Sequence, residues 1–325
     1  MTAVESPVYD FMQYLRPLPY KRCFYPFGLP VEIATDDRDV LEAAHASWGN
    51  HPARFARDPI RVNVLVSDCA GTLPSAPQFH GRQHLLTIIS DAENFAICDR
   101  RQSFIFCRVT RATVADAVFF RWHFLDSAVY CLQELLYYTS LHAACVALDG
   151  MGVLLFGKSG AGKSSLSYAC ARRGWTYISD DASSLLWGDR NRTVIGDPHR
   201  FRFRESAPEI FPELSGLTVG RELDHKPTIE VSSADLSVRT SGECQAQRLV
   251  FLDRKPECPS RMSRISGAEA RARIREDMVQ WDPDVEMRRE EAMESLLELP
   301  AFELRYAHFA DAIPLLEGLV RRAMA

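Results

Sequence analysis

Short apolar runs separated by polar joints dominate the first third of the chain. Runs typical of β-strands occur at Val31 to Ala34, Ile60 to Val66, Leu85 to Ile89, Phe95 to Cys98 and Phe104 to Val109. Proline-containing polar stretches such as Pro74 to Gln78 lie between them, as expected for strands joined by loops. The pattern predicts a small α/β or mainly β domain over residues 1–115.

The spacing becomes helical between Val118 and Tyr138, where Leu125, Val129, Leu132 and Leu136 fall on one face of a helix. We predict a connecting helix over residues 116–140. Its aromatic residues are those of an ordinary core.

From Leu141 onward the order is strand, turn, strand, glycine-rich loop, helix and strand, which is typical of an α/β nucleotide-binding unit. Further elements of the same domain, residues 141–325, are predicted as strands Leu249 to Leu252 and Phe302 to Ala307, and as helices Ala268 to Met278, Glu290 to Leu299 and Ala312 to Met324. Pro314 is expected in the first turn of the last helix.

The bulk properties fit a folded protein of two domains. The chain has 325 residues, of which 46% are apolar and 25% charged. A formal net charge of −5 argues against a general nucleic-acid binder. Nine cysteines without a CxxC pair predict reduced thiols in a cytoplasmic protein. No apolar stretch predicts a secretion signal or a membrane span.

Residues Gly157-Lys158-Ser159-Gly160-Ala161-Gly162-Lys163-Ser164 match the P-loop pattern GxxxxGK[ST] at every fixed position. A short apolar strand precedes the motif, and a helix that Gly174 can cap follows it. Glycines let backbone N–H groups turn toward the β- and γ-phosphates, and the helix N-terminus adds positive potential. The predicted phosphate-binding residues are Gly157, Ser159, Gly160, Ala161, Gly162, Lys163, Ser164 and Ser165.

The motif also predicts the two cofactors. Lys163 supplies a full positive charge for the phosphates, and the Ser164 hydroxyl is a ligand suited to Mg²⁺. ATP and Mg²⁺ are therefore expected. A glycine-rich turn that binds nothing is the less favoured alternative.

A β-hairpin is predicted immediately before the loop, because Asp149-Gly150 stands between two apolar runs. In that register Leu148 pairs with Met151, and counting outward brings His142 beside Gly157. A histidine there can hydrogen-bond a phosphate or tune a carboxylate, and a strand-end histidine bonded to backbone is an equally weighted alternative.

Two adjacent carboxylates, Asp180 and Asp181, follow the strand Trp175 to Ser179. A right-handed crossover would run this strand parallel to the strand before the P-loop and bring both aspartates to the loop edge. One carboxylate can hold Mg²⁺ while the other accepts the proton of an attacking hydroxyl. A helix cap or turn would account for one aspartate, but less well for two.

The histidine, the hairpin, the phosphate loop and the Asp-Asp pair together resemble the catalytic domain of HPr kinase/phosphorylase, which shares a fold with phosphoenolpyruvate carboxykinase. The resemblance implies ATP-dependent phosphorylation of a serine hydroxyl on a protein. It implies that Lys163 binds phosphate, Ser164 binds Mg²⁺, Asp180 is the base, Asp181 is its metal or base partner, and His142 is their neighbour. It also allows a homo-oligomer.

The chain departs from the members that act on HPr, because it lacks their Glu-Arg-Gly signature. It is more similar to divergent members that phosphorylate a serine of a peptide during its maturation. HPr itself and the reverse phosphorylase reaction are therefore not expected.

Arg200, Arg202 and Arg204 alternate with two phenylalanines, so that in a strand they would share one face. That face could bind a triphosphate or an acidic substrate, or could simply be the solvated face of an edge strand. Arg202 is favoured slightly for the nucleotide because it is central. Lys226 is a weaker candidate for phosphate contact.

Three functions remain open from the sequence. The favoured one is a kinase acting on the hydroxyl of a peptide or protein, and the second is the same chemistry on a small molecule. The third is a P-loop switch or motor ATPase without phosphotransfer, which would require signatures that the chain lacks.

Overall fold

The computed structural model describes residues 17–69, 71–217, 219–221, 227–255, 257–276, 278 and 281–324. Its internal contacts divide the chain into two compact units, Met1–Leu136 and Tyr137–Ala325. This division assigns residues 116–136 of the predicted connecting helix to the first unit and residues 137–140 to the second. Among the described residues, no helix is both long and apolar enough to cross a membrane.

The first unit contains one mixed β-sheet. Its strands are β1 (Tyr20–Phe24), β2 (Val31–Thr35), β3 (Ile60–Ser67), β4 (Gln78–Arg82), β5 (Leu85–Ile89), β6 (Phe95–Asp99) and β7 (Phe104–Thr110). The order across the sheet is β1-β2-β3-β7-β6-β5-β4, with β2, β3 and β7 parallel. All five apolar runs that the sequence marked as β-type are strands. The sequence did not mark β1 or β4, and all five β4 residues are exposed.

The helices of this unit are α1 (Arg38–Trp48), α2 (Arg111–Ala115), α3 (Ala117–Phe120), a π-helical segment (Arg121–Asp126) and α4 (Ser127–Leu136). The helix predicted between Val118 and Tyr138 is therefore three segments that end at Leu136. The Asp116 carboxylate caps its start by accepting the Phe119 N–H at 3.0 Å.

The second unit contains twelve strands among the described residues: β8 (Tyr138–Leu148), β9 (Met151–Phe156), β10 (Thr176–Ser179), β11 (Ala182–Leu186), β12 (Thr193–Ile195), β13 (Arg200–Arg204), β14 (Val219–Arg221), β15 (Pro227–Ser232), β16 (Arg239–Thr240), β17 (Glu243–Arg254), β18 (Arg261–Ile265) and β19 (Ala301–Tyr306). Its helices are α5 (Lys163–Arg172), α6 (Gly267–Arg275), α7 (Pro283–Leu297) and α8 (Phe309–Met324). Short 3₁₀ turns span Pro26–Gly28 in the first unit and Ala207–Glu209, Pro212–Leu214 and Ser233–Leu236 in the second.

Nine of these strands form the main sheet, in which β9 lies between antiparallel β8 and parallel β17. β10 and β11 pair antiparallel with successive parts of β8, so β10 runs in the same direction as β9 with β8 between them. β13, β15 and β14 form a separate three-stranded sheet in which β13 is an edge strand.

Helices cover both faces of the main sheet. Buried residues of α5 and α8, such as Leu166 and Leu316, pack with one face, and residues of α6 and α7, such as Ile274 and Leu296, pack with the other. This is a layered α/β fold, as the sequence predicted. One detail differs, because α8 begins at Phe309 and Pro314 therefore lies in its second turn.

Candidate active site

The hairpin of β8 and β9 has the predicted register. Asp149 and Gly150 form its turn with φ angles of 51° and 82°, values that a two-residue hairpin turn requires. The paired residues run from Leu148 and Met151 outward to Ala143 and Phe156. The next residue on β8 is His142, which therefore reaches the start of the phosphate loop.

The phosphate loop joins β9 to α5 and depends on two glycines in left-handed conformations. Gly160 and Gly162 have φ angles of 88° and 95°, and α5 begins directly afterwards at Lys163. The Tyr306 hydroxyl at the end of β19 donates to the Ala161 carbonyl at 2.8 Å. This bond fixes the loop from the side of β19.

Lys163 is buried, with only 6% of its surface exposed, and its ammonium group lies at the centre of a polar cluster. Nζ donates to the Gly157 carbonyl at 2.8 Å, and lies 3.0 Å from His142 Nε2 and 3.3 Å from Asp181 Oδ1. His142 Nε2 is itself 3.0 Å from the same carboxylate oxygen. The loop lysine, the histidine and one aspartate of the pair are thus brought together.

The aspartate pair lies where the chain passes from β10 to β11 along β8. The last β10 contact pairs Ser179 with Cys145, and the first β11 contact pairs Ala182 with His142. Asp180 and Asp181 occupy the interruption between them, at the edge that carries the phosphate loop. The sequence-based placement of this pair beside the loop agrees with the geometry of Asp181.

Asp180 is half-buried, and its Oδ2 accepts the backbone N–H of Arg202 at 2.8 Å. Burial raises the pKa of this carboxyl to about 6, although the bond from Arg202 and the positive charge of its side chain oppose the increase. The neighbouring charge of Asp181 adds to the increase. A carboxyl with this pKa is suited to accept a proton near neutral pH.

The three arginines of β13 share one face, as predicted, because the alternating phenylalanines are buried. Arg200 and Arg202 lie 3.1 and 3.5 Å from the Glu230 carboxylate on β15. Arg204 donates instead to the Ser159 hydroxyl of the phosphate loop at 3.0 Å. The sequence favoured Arg202 for nucleotide contact, whereas in the structure the arginine on the loop is Arg204.

Ser164 and Ser165 occupy the first turn of α5, next to Lys163. Ser164 and Asp181 offer the oxygen ligands that Mg²⁺ prefers, so their chemistry fits the predicted metal. Lys226 lies outside the described residues.

A cavity of about 640 Å³ opens beside the phosphate loop on the side of α6. Its charged and histidine lining residues are His142, Lys158, Asp253, Arg254, Lys255, Arg273, Glu276, Glu303 and Arg305. The lining is polar and carries both signs of charge. Such a cavity is large enough for part of a nucleotide or for a small acceptor.

The strand, glycine-rich loop and helix, with a buried loop lysine against an aspartate, define an α/β domain of the P-loop class. The family "HPr Serine kinase C-terminal domain" matches residues 133–202, which include the hairpin, the loop and both aspartates. Residues 133–202 are therefore similar to the HPr kinase C-terminal domain, and the resemblance recognised from the sequence is confirmed for this region.

Each of the curated relatives aligns with only part of this chain. The HPr kinase/phosphorylase of Lactobacillus acidophilus is 43% identical over 58 residues, which are 18% of each chain. That of Chlorobaculum tepidum is 28% identical over 111 residues, or 34% of this chain and 29% of the relative. The matches thus span less than a third of either relative.

Among solved structures, the Hpr(Ser) kinase/phosphatase from Coxiella burnetii aligns with 57% of this chain and 96% of its own. The identity is 16% and the TM-score 0.30. A global similarity this low does not define a shared fold by itself.

Sequence reasoning missed three contacts of this site. The missed contacts are three hydrogen bonds: from the Arg202 N–H to Asp180, from the Tyr306 hydroxyl to the Ala161 carbonyl, and from the Arg204 side chain to Ser159. The sequence did indicate that Arg204 lies on one face of a strand, through the alternation of arginine and phenylalanine along β13, but it gave no signal for the contact with Ser159.

Proposed function

We propose that the protein is a Mg²⁺- and ATP-dependent kinase that transfers the γ-phosphate of ATP to a hydroxyl group, with a serine of a peptide or protein as the favoured acceptor. The observation that carries this proposal is the cluster of Lys163, His142 and Asp181 next to a second aspartate whose pKa is raised to about 6. A kinase needs a group that accepts the proton of the attacking hydroxyl, and a carboxyl with this raised pKa can serve as that group.

The proposed binding roles follow from charge and position. Backbone N–H groups of the loop and the Lys163 ammonium hold the β- and γ-phosphates. The Ser164 hydroxyl and the Asp181 carboxylate would hold Mg²⁺, which neutralises charge on the transferred group. His142 contacts both Lys163 and Asp181, and so keeps the lysine and the carboxylate in position.

Asp180 acts as the general base. It accepts the proton of the acceptor hydroxyl while the hydroxyl oxygen forms a bond to the γ-phosphorus and the bond to the oxygen of the leaving ADP breaks. The Arg202 N–H donates to one of its carboxylate oxygens and so restricts the position of the side chain. Most of the remaining catalysis is positioning and charge neutralisation.

The acceptor is proposed from the family rather than from the cavity. Both curated relatives named above are kinases of HPr, a protein, by their printed names. This chain lacks the Glu-Arg-Gly signature of HPr-acting members, so we assign a peptide or protein other than HPr. The protein is proposed to act in the cytoplasm.

The test is incubation of the protein with γ-³²P-labelled ATP, Mg²⁺ and the products of neighbouring genes. The wild type should place acid-stable label on a serine of an acid-precipitable product. The Asp180→Asn variant should bind ATP with unchanged affinity and lose transfer by about three orders of magnitude or more. Transfer at the wild-type rate in this variant would contradict the role of Asp180.

A small-molecule acceptor is the second candidate, and the 640 Å³ cavity beside the loop favours it. The same labelling experiment separates the two. Label in an acid-soluble compound other than ATP or inorganic phosphate would identify a metabolite kinase, and label in the precipitate a peptide or protein kinase.

A further inference from the structure

Arg204 is the last residue of edge strand β13, and its side chain lies on the phosphate loop. Its Nη2 donates to Ser159 Oγ at 3.0 Å. Both residues are exposed, so the contact lies at the open surface of the loop where a nucleotide would arrive. The role inferred for Arg204 rests on the function proposed above.

The partners of the three β13 arginines differ. Arg200 and Arg202 both lie within ion-pair distance of Glu230. No carboxylate in the described part of the chain forms an ion pair with Arg204, which donates instead to the neutral hydroxyl of Ser159. A guanidinium that lies on a phosphate-binding loop without such a carboxylate can give up its hydrogen bond to a neutral hydroxyl. It can then donate to a phosphate oxygen, which is a stronger acceptor because it is charged.

β13 also connects Arg204 with the proposed base. The Arg202 N–H donates to Asp180 Oδ2, and Arg204 is two residues further along the same strand, with its side chain on the same face as that of Arg202. The Arg204 guanidinium lies on the phosphate loop. One strand therefore supports the proposed base and also carries a cation to the loop that is proposed to bind the phosphates.

We infer that Arg204 is a catalytic residue that contacts the γ-phosphoryl group. When ATP binds, its guanidinium leaves the Ser159 hydroxyl and donates to γ-phosphate oxygens. It neutralises negative charge there while the bond from the acceptor oxygen forms and the bond to ADP breaks. No proton or electron moves to or from Arg204, which stays charged throughout.

The first test is binding alone, measured by calorimetry with Mg²⁺ and either ADP or the non-hydrolysable analogue AMP-PNP. Arg204→Ala should weaken AMP-PNP binding about 10- to 100-fold, because a charge-assisted hydrogen bond to the γ-phosphate is lost. ADP has no γ-phosphate, so its affinity should change less than about twofold. Arg204→Lys should restore part of the difference, since lysine keeps the charge but not the paired geometry.

Arg200→Ala is the matched control, because it removes an arginine from the same face of the same strand. It should leave both affinities unchanged. Equal weakening of ADP and AMP-PNP by Arg204→Ala would show that Arg204 only supports the loop, and no change in either would show that it contacts no phosphate. Both results overturn the inference.

The second test uses turnover and separates this inference from the proposed function. With labelled ATP and its acceptor, Arg204→Ala should lower kcat at least tenfold while the KM for the acceptor stays the same. If the wild type binds AMP-PNP in an Arg204-dependent way but transfers nothing to any acceptor, the phosphate contact stands and the kinase proposal fails. If Arg204→Ala transfers at the wild-type rate, the catalytic role of Arg204 fails and the kinase proposal stands.

Discussion

The environment of Asp180 differs from that of its neighbour Asp181, although the two side chains are adjacent in the sequence. Asp180 is half-buried and its pKa is raised mainly by loss of solvent. Asp181 is 59% exposed and lies against Lys163 and His142. Because their surroundings differ, Asp180 can accept a proton while Asp181 serves as a metal ligand.

The raised pKa predicts how activity depends on pH. A general base works only when ionised, so kcat/KM should fall about tenfold for each pH unit below about 6, and should be level above it. A pH–rate profile of the wild type measures this. His142→Gln is the control, since it should lower the rate but keep the same acidic limb. Disappearance of the limb in that variant would assign it to His142 instead.

The same carboxyl predicts a change in stability. Its pKa is higher in the folded protein than the ordinary value of 3.8, so the folded state binds more protons between about pH 4 and pH 6, and the group destabilises the fold as pH rises through that window. Asp180→Asn should therefore raise the free energy of unfolding at pH 7 by up to about 3 kcal/mol. The gain should vanish near pH 4, which urea unfolding at both pH values would measure. An equal effect at both would contradict the raised pKa.

The sequence could predict the residues of the Lys163 cluster because each depends on local rules. Hairpin counting from Asp149-Gly150 places His142, and the end of a strand places Asp181. The contact of Arg204 with Ser159 could not be derived in this way. It depends on where a separate three-stranded sheet lies relative to the phosphate loop, and no periodicity encodes that.

At the scale of elements, α5 is flanked by two glycines with nearly the same backbone angle, one immediately before it and one two residues after it. Gly162 has a φ of 95° and Gly174 a φ of 90°. A Cβ on Gly162 would lie 2.6 Å from the Tyr306 hydroxyl, whereas a Cβ on Gly174 would meet nothing within 4 Å. A side chain would therefore strain the backbone at both positions, but it would collide with neighbouring atoms only at Gly162, in the phosphate loop.

This pair predicts different costs for the same substitution. Gly174→Ala should destabilise the protein by about 1–2 kcal/mol, the cost of a left-handed residue with a side chain. Gly162→Ala should cost at least about 1 kcal/mol more, because it displaces Tyr306 from Ala161. Urea unfolding measures both. The Gly162 variant should also lose ATP affinity, while the Gly174 variant keeps it, and equal effects would show that the loop tolerates the side chain.

Elements whose apolar pattern is regular were predictable, and those without one were not. β5 is the run Leu85 to Ile89 that the sequence marked, whereas β4 is exposed throughout and pairs only as the edge of its sheet. The helix predicted from Val118 shows that the continuity of a helix is harder to predict from the sequence than its apolar face. Its apolar positions are correct, but a π-helical segment at Arg121–Asp126 interrupts it, and the next strand already begins at Tyr138.

At the scale of the whole molecule, the chain contains two units with their own buried residues, the first with one β-sheet and the second with two. From the change of periodicity near residue 115, the sequence predicts a first domain over residues 1–115, a connecting helix over 116–140 and a catalytic domain over 141–325. The pattern does not indicate the boundary between Leu136 and Tyr137, since helix α4 is apolar enough to fit either unit. The family match covers residues 133–202, of which all but the first four belong to the second unit.

The second unit should fold and bind nucleotide without the first. All the described contacts of the phosphate loop given above, including those of His142, Asp181, Arg204 and Tyr306, come from residues 137–325. A fragment of these residues should unfold cooperatively and bind AMP-PNP within about threefold of the affinity of the full chain. If the first unit recruits the acceptor, the fragment should transfer phosphate poorly to the natural acceptor while keeping this affinity. A fragment that is unfolded, or that binds AMP-PNP far more weakly, would show that the nucleotide site requires the first unit.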